Sequence, residues 1–218
     1  YAASLLVRAL KHGGIGCALE VRYGAAADGQ PLIADMPSPP LSKLLYPVGK
    51  WSDNFTAEML LKIMGAESEQ PGTSARGVTV VRDQLAKMGI DTEGLVMVNG
   101  SGLFDGNQVA PRHVTETLVA AYGDPAIRAE YVAHLAVAGS DGTLKTRLED
   151  LPHARMVRAK TGTLRDVIAL SGYVLGESDR SLAFSFLANG IAGRQREAKD
   201  LADNIVRALA EYAARPSR

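Results

Sequence analysis

Cysteine is nearly absent: Cys17 stands alone among 218 residues, so no disulfide can close within the chain. In Ile15-Gly16-Cys17-Ala18-Leu19 it reads as a small buried apolar residue. Long apolar runs are also lacking, and none approaches the roughly 20 residues of a membrane-spanning helix. There is no run of four like charges and no basic stripe. Lys plus Arg and Asp plus Glu are equal at 24 each, so nothing favours nucleic acid or an anionic membrane surface as partner. The four histidines, His12, His113, His134 and His153, have no metal-ligand spacing, so neither a metal site nor a cofactor is expected. Repeats and low-complexity tracts are missing too. The length suits one domain with a sizeable core.

The chain falls into three stretches of different pattern. Residues 1–50 open with a helix over 1–11, stopped by His12-Gly13-Gly14. Weak alternation then suggests strands at 17–23 and 31–34. Pro37-Ser38-Pro39-Pro40 interrupts the pattern, and a short helix over 41–49 follows. From 51 to 151 the pattern is helices and loops, without a convincing strand pair. Helices are expected at 55–64, ended by Gly65, and at 74–88, capped by Thr73 or Ser74 and stopped by Gly89. Two more start near Pro111 and Pro125, the second running to 137. From 152 on, strands at 156–160, 167–175 and 181–188 with short connections favour antiparallel pairing. A final amphipathic helix covers 196–213, with Leu201, Ile205, Val206, Leu209 and Ala210 on its inner face. The fold class is therefore α+β: an antiparallel sheet flanked by helices, with a mainly helical subdomain at 51–151 and the sheet-containing part at 1–50 and 152–218.

Two stretches carry chemistry. Lys160-Thr161-Gly162-Thr163 sits on or beside a predicted strand. There lysine supplies a compact cation, threonine a hydroxyl, and glycine room for another backbone, a set suited to an extended peptide ending in a carboxylate. Alone, such a tripeptide usually marks a solvated strand edge. Ser52-Asp53-Asn54 stands upstream, at the mouth of a helical pattern. The two together match two of the three signatures of penicillin-binding proteins and serine β-lactamases.

With Ala57-Glu58, Asn99-Gly100-Ser101-Gly102-Leu103 and Asp141-Gly142-Thr143-Leu144 in the same order, the chain resembles the class C, low-molecular-mass penicillin-binding proteins. These are D-alanyl-D-alanine carboxypeptidases and endopeptidases of the bacterial periplasm or cell envelope. The resemblance implies the serine β-lactamase/DD-peptidase fold. It also implies hydrolysis of peptidoglycan stem peptides ending in D-Ala-D-Ala through an acyl-serine intermediate, and binding of β-lactams. Carried over, Ser52 relays a proton, Lys160 exchanges it and holds charge, and Asn54 bonds the penultimate amide of the peptide. Thr161, Gly162 and Thr163 bind the terminal carboxylate, with the Thr163 N–H as one oxyanion donor. Asp53 points away, as a cap or ion-pair partner. Ser101, between glycines, reads as a loop beside the cleft rather than a nucleophile elbow. The family continues Ser-Gly-Leu with Ser-Arg where this chain has Phe104-Asp105, with Arg165 as a possible substitute.

The third signature, Ser-x-x-Lys, does not occur: no lysine has Ser or Thr three residues before it. The expectation is a C-terminal portion of one transpeptidase-like domain, inactive alone. It would supply three of five strands and be completed by its own N-terminal portion or by self-association. The alternatives are a non-catalytic peptidoglycan- or penicillin-recognising homologue and, with less support, a β-lactamase. The Glu-x-x-Leu-Asn string of the class A β-lactamases is missing.

Overall fold

A computed structural model describes residues 2–16, 21, 24, 29, 31–32, 34–68, 70–176 and 180–215. The chain divides into two compact units, Tyr1–Ser38 and Pro39–Arg218. The first holds helix α1 (Ala2–His12), ended as expected by glycines: Gly14 adopts a positive φ of 76°, and the Ile15 N–H closes on the Leu10 carbonyl at 3.0 Å. The strand expected over 17–23, Cys17 included, falls almost wholly outside the described residues. No strand forms at Pro31, Leu32 or Ala34, so residues 1–50 add no strand to the sheet among the described residues.

The second unit runs α2 (Leu41–Trp51), α3 (Asn54–Ser68), α4 (Ser74–Lys87), α5 (Pro111–Gly123), α6 (Arg128–His134), β1 (Ala136–Val137), a 3-10 turn (Gly142–Leu144), β2 (Val157–Thr163), β3 (Val167–Val174), β4 (Leu182–Asn189) and α7 (Gln195–Ala213). The sheet is antiparallel, in the order β1-β2-β3-β4. The three long strands lie close to the expected ones, except that β2 runs on from 160 to Thr163. The two-residue β1 is the exception, lying where the sequence suggested the end of a helix. Helix α6 stops at His134 instead, and Ala136 and Val137 pair with Ala159 and Arg158. Two residues carry no periodicity, so nothing in the local sequence distinguishes them from helix. An isolated bridge, Val96 with Gln108, is a second pairing that the pattern of 51–151 did not disclose.

One face of the sheet carries the main core. Val157 and Ala159 of β2, Leu170 and Val174 of β3 and Phe184 of β4 meet Ala202, Val206, Ala210 and Ala213 of α7. Complete burial of a Leu or Val is worth about 1.5–3 kcal/mol, so this layer supplies much of the cohesion. The inner face of α7 differs from expectation. Val206 and Ala210 are buried and Leu209 is partly buried, but Leu201 and Ile205 are 54% and 40% exposed. The helix approaches the sheet along its alanines, which allow close contact, and the larger side chains are left on the flank. On the opposite face, Tyr173 packs with Leu118 of α5 and donates its hydroxyl to the Leu118 carbonyl at 2.7 Å.

Helix α3 runs through Gly65 to Ser68 rather than ending there. The glycine serves packing: a Cβ on Gly65 would lie 2.7 Å from the Thr73 carbonyl oxygen, and one on Gly77 only 2.0 Å from that of Leu61. The backbones of α3 and α4 touch at these points. Thr73 caps α4 as expected, accepting the Arg76 N–H at 3.2 Å, and Gly89 takes the left-handed position after it. Gly77→Ala should therefore cost about 1–3 kcal/mol in urea unfolding. Gly123→Ala, in α5 with open space around the position, should not destabilise.

Candidate active site

Helix α2 ends on an unusual residue. Ser52 sits at φ 61°, ψ 47°, left-handed without being glycine, with its N–H bonded to the Pro47 carbonyl. Asp53 N–H reaches the same oxygen at 3.2 Å. Its own Oδ1 then accepts the Thr56 N–H at 3.0 Å and caps α3, so Asp53 is a cap, as anticipated. The turn leaves Asn54 half-buried on the first turn of α3, and its side-chain amide makes no hydrogen bond among the described residues. A left-handed non-glycine residue costs roughly 1–2 kcal/mol, a strain that is kept where geometry matters.

Lys160 lies in the middle of β2, opposite Ser171 of β3. Its neighbours Val157 and Ala159 alternate into the α7 core, so Lys160 stands on the other face, half-buried. Its ammonium donates to Ser52 Oγ at 2.7 Å and to the Thr161 carbonyl at 2.7 Å. The hydrogen bond expected between residues 108 apart in sequence is thus formed. Among the described residues, no carboxylate lies within ion-pair distance of Lys160. Burial alone pushes its pKa below the ordinary lysine value, because two neutral oxygens do not repay the lost hydration of the cation.

The rest of the motif extends along β2. Thr161 Oγ1 donates to Thr143 Oγ1 at 2.8 Å, tying the strand to the 3-10 turn. Gly162 faces Ala169, whose Cβ would lie 3.1 Å from a Cβ added at 162. Thr163 is exposed at the end of the strand. Ser52, Lys160 and Thr161 are therefore linked directly or through one neighbour. Asn54, Gly162 and Thr163 are placed by their elements and bonded to none of the other site side chains.

Three contributors escaped the reading of the sequence. Glu58, one helical turn after Asn54, accepts the N–H groups of Gly100 and Ser101 at 3.1 and 2.8 Å. The Ser101 hydroxyl, with these N–H groups and Lys62, holds its carboxyl below the usual carboxylate range against the opposing effect of burial. Ser101 is thus anchored as part of a loop that Asn99 and Asn107 close through paired amides. Glu58 stood in a quoted segment without a function attached. The other two, a buried Lys50 and a half-buried Asp141, form an ion pair at 2.7 Å. Asp141 also lay in a quoted segment, whereas Lys50 had no signal beyond a basic residue in the last turn of a helix. Asp105 and Arg165 are both exposed. Among the described residues, no three His, Cys, Asp or Glu side chains are grouped to hold a metal ion.

A turn presenting Ser and Asn, beside a strand whose half-buried lysine bonds that serine, is an arrangement of the penicillin-interacting serine hydrolases. A family model described as the D-Ala-D-Ala carboxypeptidase 3 (S13) family matches residues 1–212, and the chain belongs to that family. It is 40% identical to the D-alanyl-D-alanine carboxypeptidase of Actinomadura sp. (strain R39), over 97% of this chain and 40% of the relative. It is 34% identical to the carboxypeptidase DacB of Mycolicibacterium smegmatis, over 82% of this chain and 40% of the relative. Penicillin binding protein 4 (dacB) of Haemophilus influenzae, solved with a β-lactam, superposes with a TM-score of 0.80 at 27% identity, over 95% of this chain and 51% of that one. The chain spans between two fifths and about half the length of these relatives.

Two outcomes follow from the site's physics. Ser52→Gly should be more stable than Ser52→Ala by about 1 kcal/mol in chemical denaturation, since both lose the hydroxyl and only glycine relieves the left-handed strain. Lys160 binds its proton less tightly folded than unfolded. Its charge therefore weighs against the fold at low pH, and stability rises as pH climbs from the depressed value toward 10.5. Lys160→Met should lack that rise in a pH series of unfolding curves.

Proposed function

We propose that this chain carries the proton-relay and carboxylate-binding half of a serine-type D-alanyl-D-alanine carboxypeptidase/endopeptidase site. The single observation that carries the reading is the 2.7 Å hydrogen bond from Lys160 to Ser52. A lysine biased toward its neutral form, in contact with a hydroxyl, accepts and returns a proton through that hydroxyl to a nearby nucleophile or leaving amine. In its charged form the same ammonium, with the hydroxyls of Thr161 and Thr163, attracts the terminal carboxylate of a stem peptide ending in D-Ala-D-Ala, or that of a β-lactam. Asn54 supplies both a donor and an acceptor for the peptide amide. Gly162 keeps the strand surface low enough for the substrate backbone to lie along it.

The nucleophile is not assigned to this chain. On this reading the chain is the C-terminal portion of one transpeptidase-like domain of the bacterial periplasm or cell envelope. It is completed by its own N-terminal portion or by self-association. The open edge of β4 supports that part of the proposal: β4 pairs with β3 on one side and with nothing on the other among the described residues, and such an edge recruits further strands. The lack of Ser-x-x-Lys supports inactivity of the isolated chain and also favours the second reading, a recogniser of peptidoglycan or penicillin without catalysis.

Labelled penicillin separates these readings. The whole protein containing this chain should be acylated, and Lys160→Ala should reduce the rate by at least about a hundredfold while leaving the fold intact. The isolated 218 residues should take no covalent label. Label on a serine of this chain would relocate the nucleophile, and reversible binding by the whole protein without acylation would favour the recogniser.

A further inference from the structure

Lys50 is 3% exposed, and nothing assigned to the site so far requires a cation buried there. Its ammonium donates to the Leu135 carbonyl at 2.6 Å and to Asp141 Oδ2 at 2.7 Å, with the Tyr46 ring 5.8 Å away. The other carboxylate oxygen of Asp141 accepts the Val137 N–H of β1 at 2.7 Å. The backbone of Lys50 is held as well: a Cβ on Gly142 would lie 2.5 Å from the Lys50 carbonyl oxygen, and the φ of Gly142 is 57°. Both ends of Lys50 are therefore gripped by the two residues that open the 3-10 turn.

These contacts join the two halves of the site. Lys50 stands two residues before Ser52, on the last turn of α2. Asp141 is bonded to Val137, and β1 pairs through Ala136 with Ala159, the residue before Lys160. The turn that follows Asp141 carries Thr143, which accepts a hydrogen bond from Thr161, the residue after Lys160. Ser52 and Lys160 are thus connected by two short mechanical routes through Asp141, besides their own hydrogen bond.

An ion pair whose cation is buried and whose carboxylate is only half-buried adds little net stability, because desolvating the ammonium cancels much of the attraction; what it fixes well is geometry. We propose that Lys50 and Asp141 are positioning residues: their ion pair clamps the end of α2 to β1 and sets the separation of the Ser52 hydroxyl from the Lys160 ammonium. The catalytic consequence rests on the carboxypeptidase reading; the geometric one does not. Burial pushes the Asp141 carboxyl upward, and the Lys50 ammonium, the Val137 N–H and the Arg158 charge outweigh it, leaving the group below the usual carboxylate range and charged at neutral pH.

The test is the double substitution Lys50→Met with Asp141→Asn, which removes both charges and keeps an acceptor for the Val137 N–H. It is read by two probes. Lysine-selective NMR of the whole protein gives the titration midpoint of Lys160, with Lys160→Met identifying its resonance. Penicillin acylation of the whole protein gives the rate. With the clamp released, water reaches Lys160: the midpoint should move up toward the ordinary lysine value, and acylation should slow by about tenfold to a hundredfold. A lost structural ion pair without a positioning effect would lower the melting temperature and leave the midpoint in place. An unmoved midpoint in the folded variant overturns the proposal, as does a moved midpoint with acylation at the parent rate. If the wild type is not acylated at all, the carboxypeptidase reading fails, and the midpoint alone decides the clamp. Should the double variant not fold, Asp141→Asn alone, which keeps one acceptor oxygen for the Val137 N–H and turns an amide NH2 toward Lys50, is measured in the same way and judged by the same outcomes.

Discussion

The site depends on a cation held where burial disfavours its charge. Lys160 cannot leave β2 without breaking the strand pairing, and among the described residues it finds two neutral oxygens in return for water. That mismatch lowers the hold of Lys160 on its proton, a property compatible with the proton relay proposed above. Everything around it serves to keep the mismatch in place. The α7 alanines hold the sheet from behind, β1 and β3 flank the strand, and the strained turn at Ser52 brings the one hydroxyl into contact.

The order of the elements explains how such distant residues meet. Ser52 is delivered by a helix end and Lys160 by a central strand, with Asp141 between them in sequence and in space. Asp53, the middle residue of the first motif, is spent on capping α3, which turns the residues on either side of it toward other work. Glu58 repeats the device one turn later by gathering the loop over 99–107. The motif segments are thus partly reactive groups and partly the fasteners that present them.

What the sequence disclosed followed from periodicity and punctuation. The three long strands, the glycine stop after α1 and the Thr73 cap each have a local physical cause and were legible. The failures share a different cause. Gly65 reads as a stop by local rules, but the structure uses it for contact between two helices. Leu201 and Ile205 read as core by hydrophobicity, but alanines allow the closer approach. Ala136 and Val137 join the sheet only because β2 is there to receive them. The pairing of Ser52 with Lys160 was expected from the resemblance, whereas Lys50 was invisible, since a partner 91 residues away leaves no trace in its own neighbourhood. Tertiary contacts decided each of these positions.

The separation of 108 residues between Lys160 and Ser52 also bears on when the site exists. Hairpins such as β2-β3 close short loops, whereas joining Ser52 to β2 closes a loop more than ten times longer, at an added entropic cost of about 2–3 kcal/mol, since that cost grows only logarithmically with length. Contacts of that span raise the contact order of the fold and slow its formation. A nascent or partly unfolded chain therefore holds Lys160 in water as an ordinary cation and Ser52 as an ordinary alcohol. The contact between Lys160 and Ser52, and the depressed lysine that goes with it, belong to the finished fold and to neither segment alone.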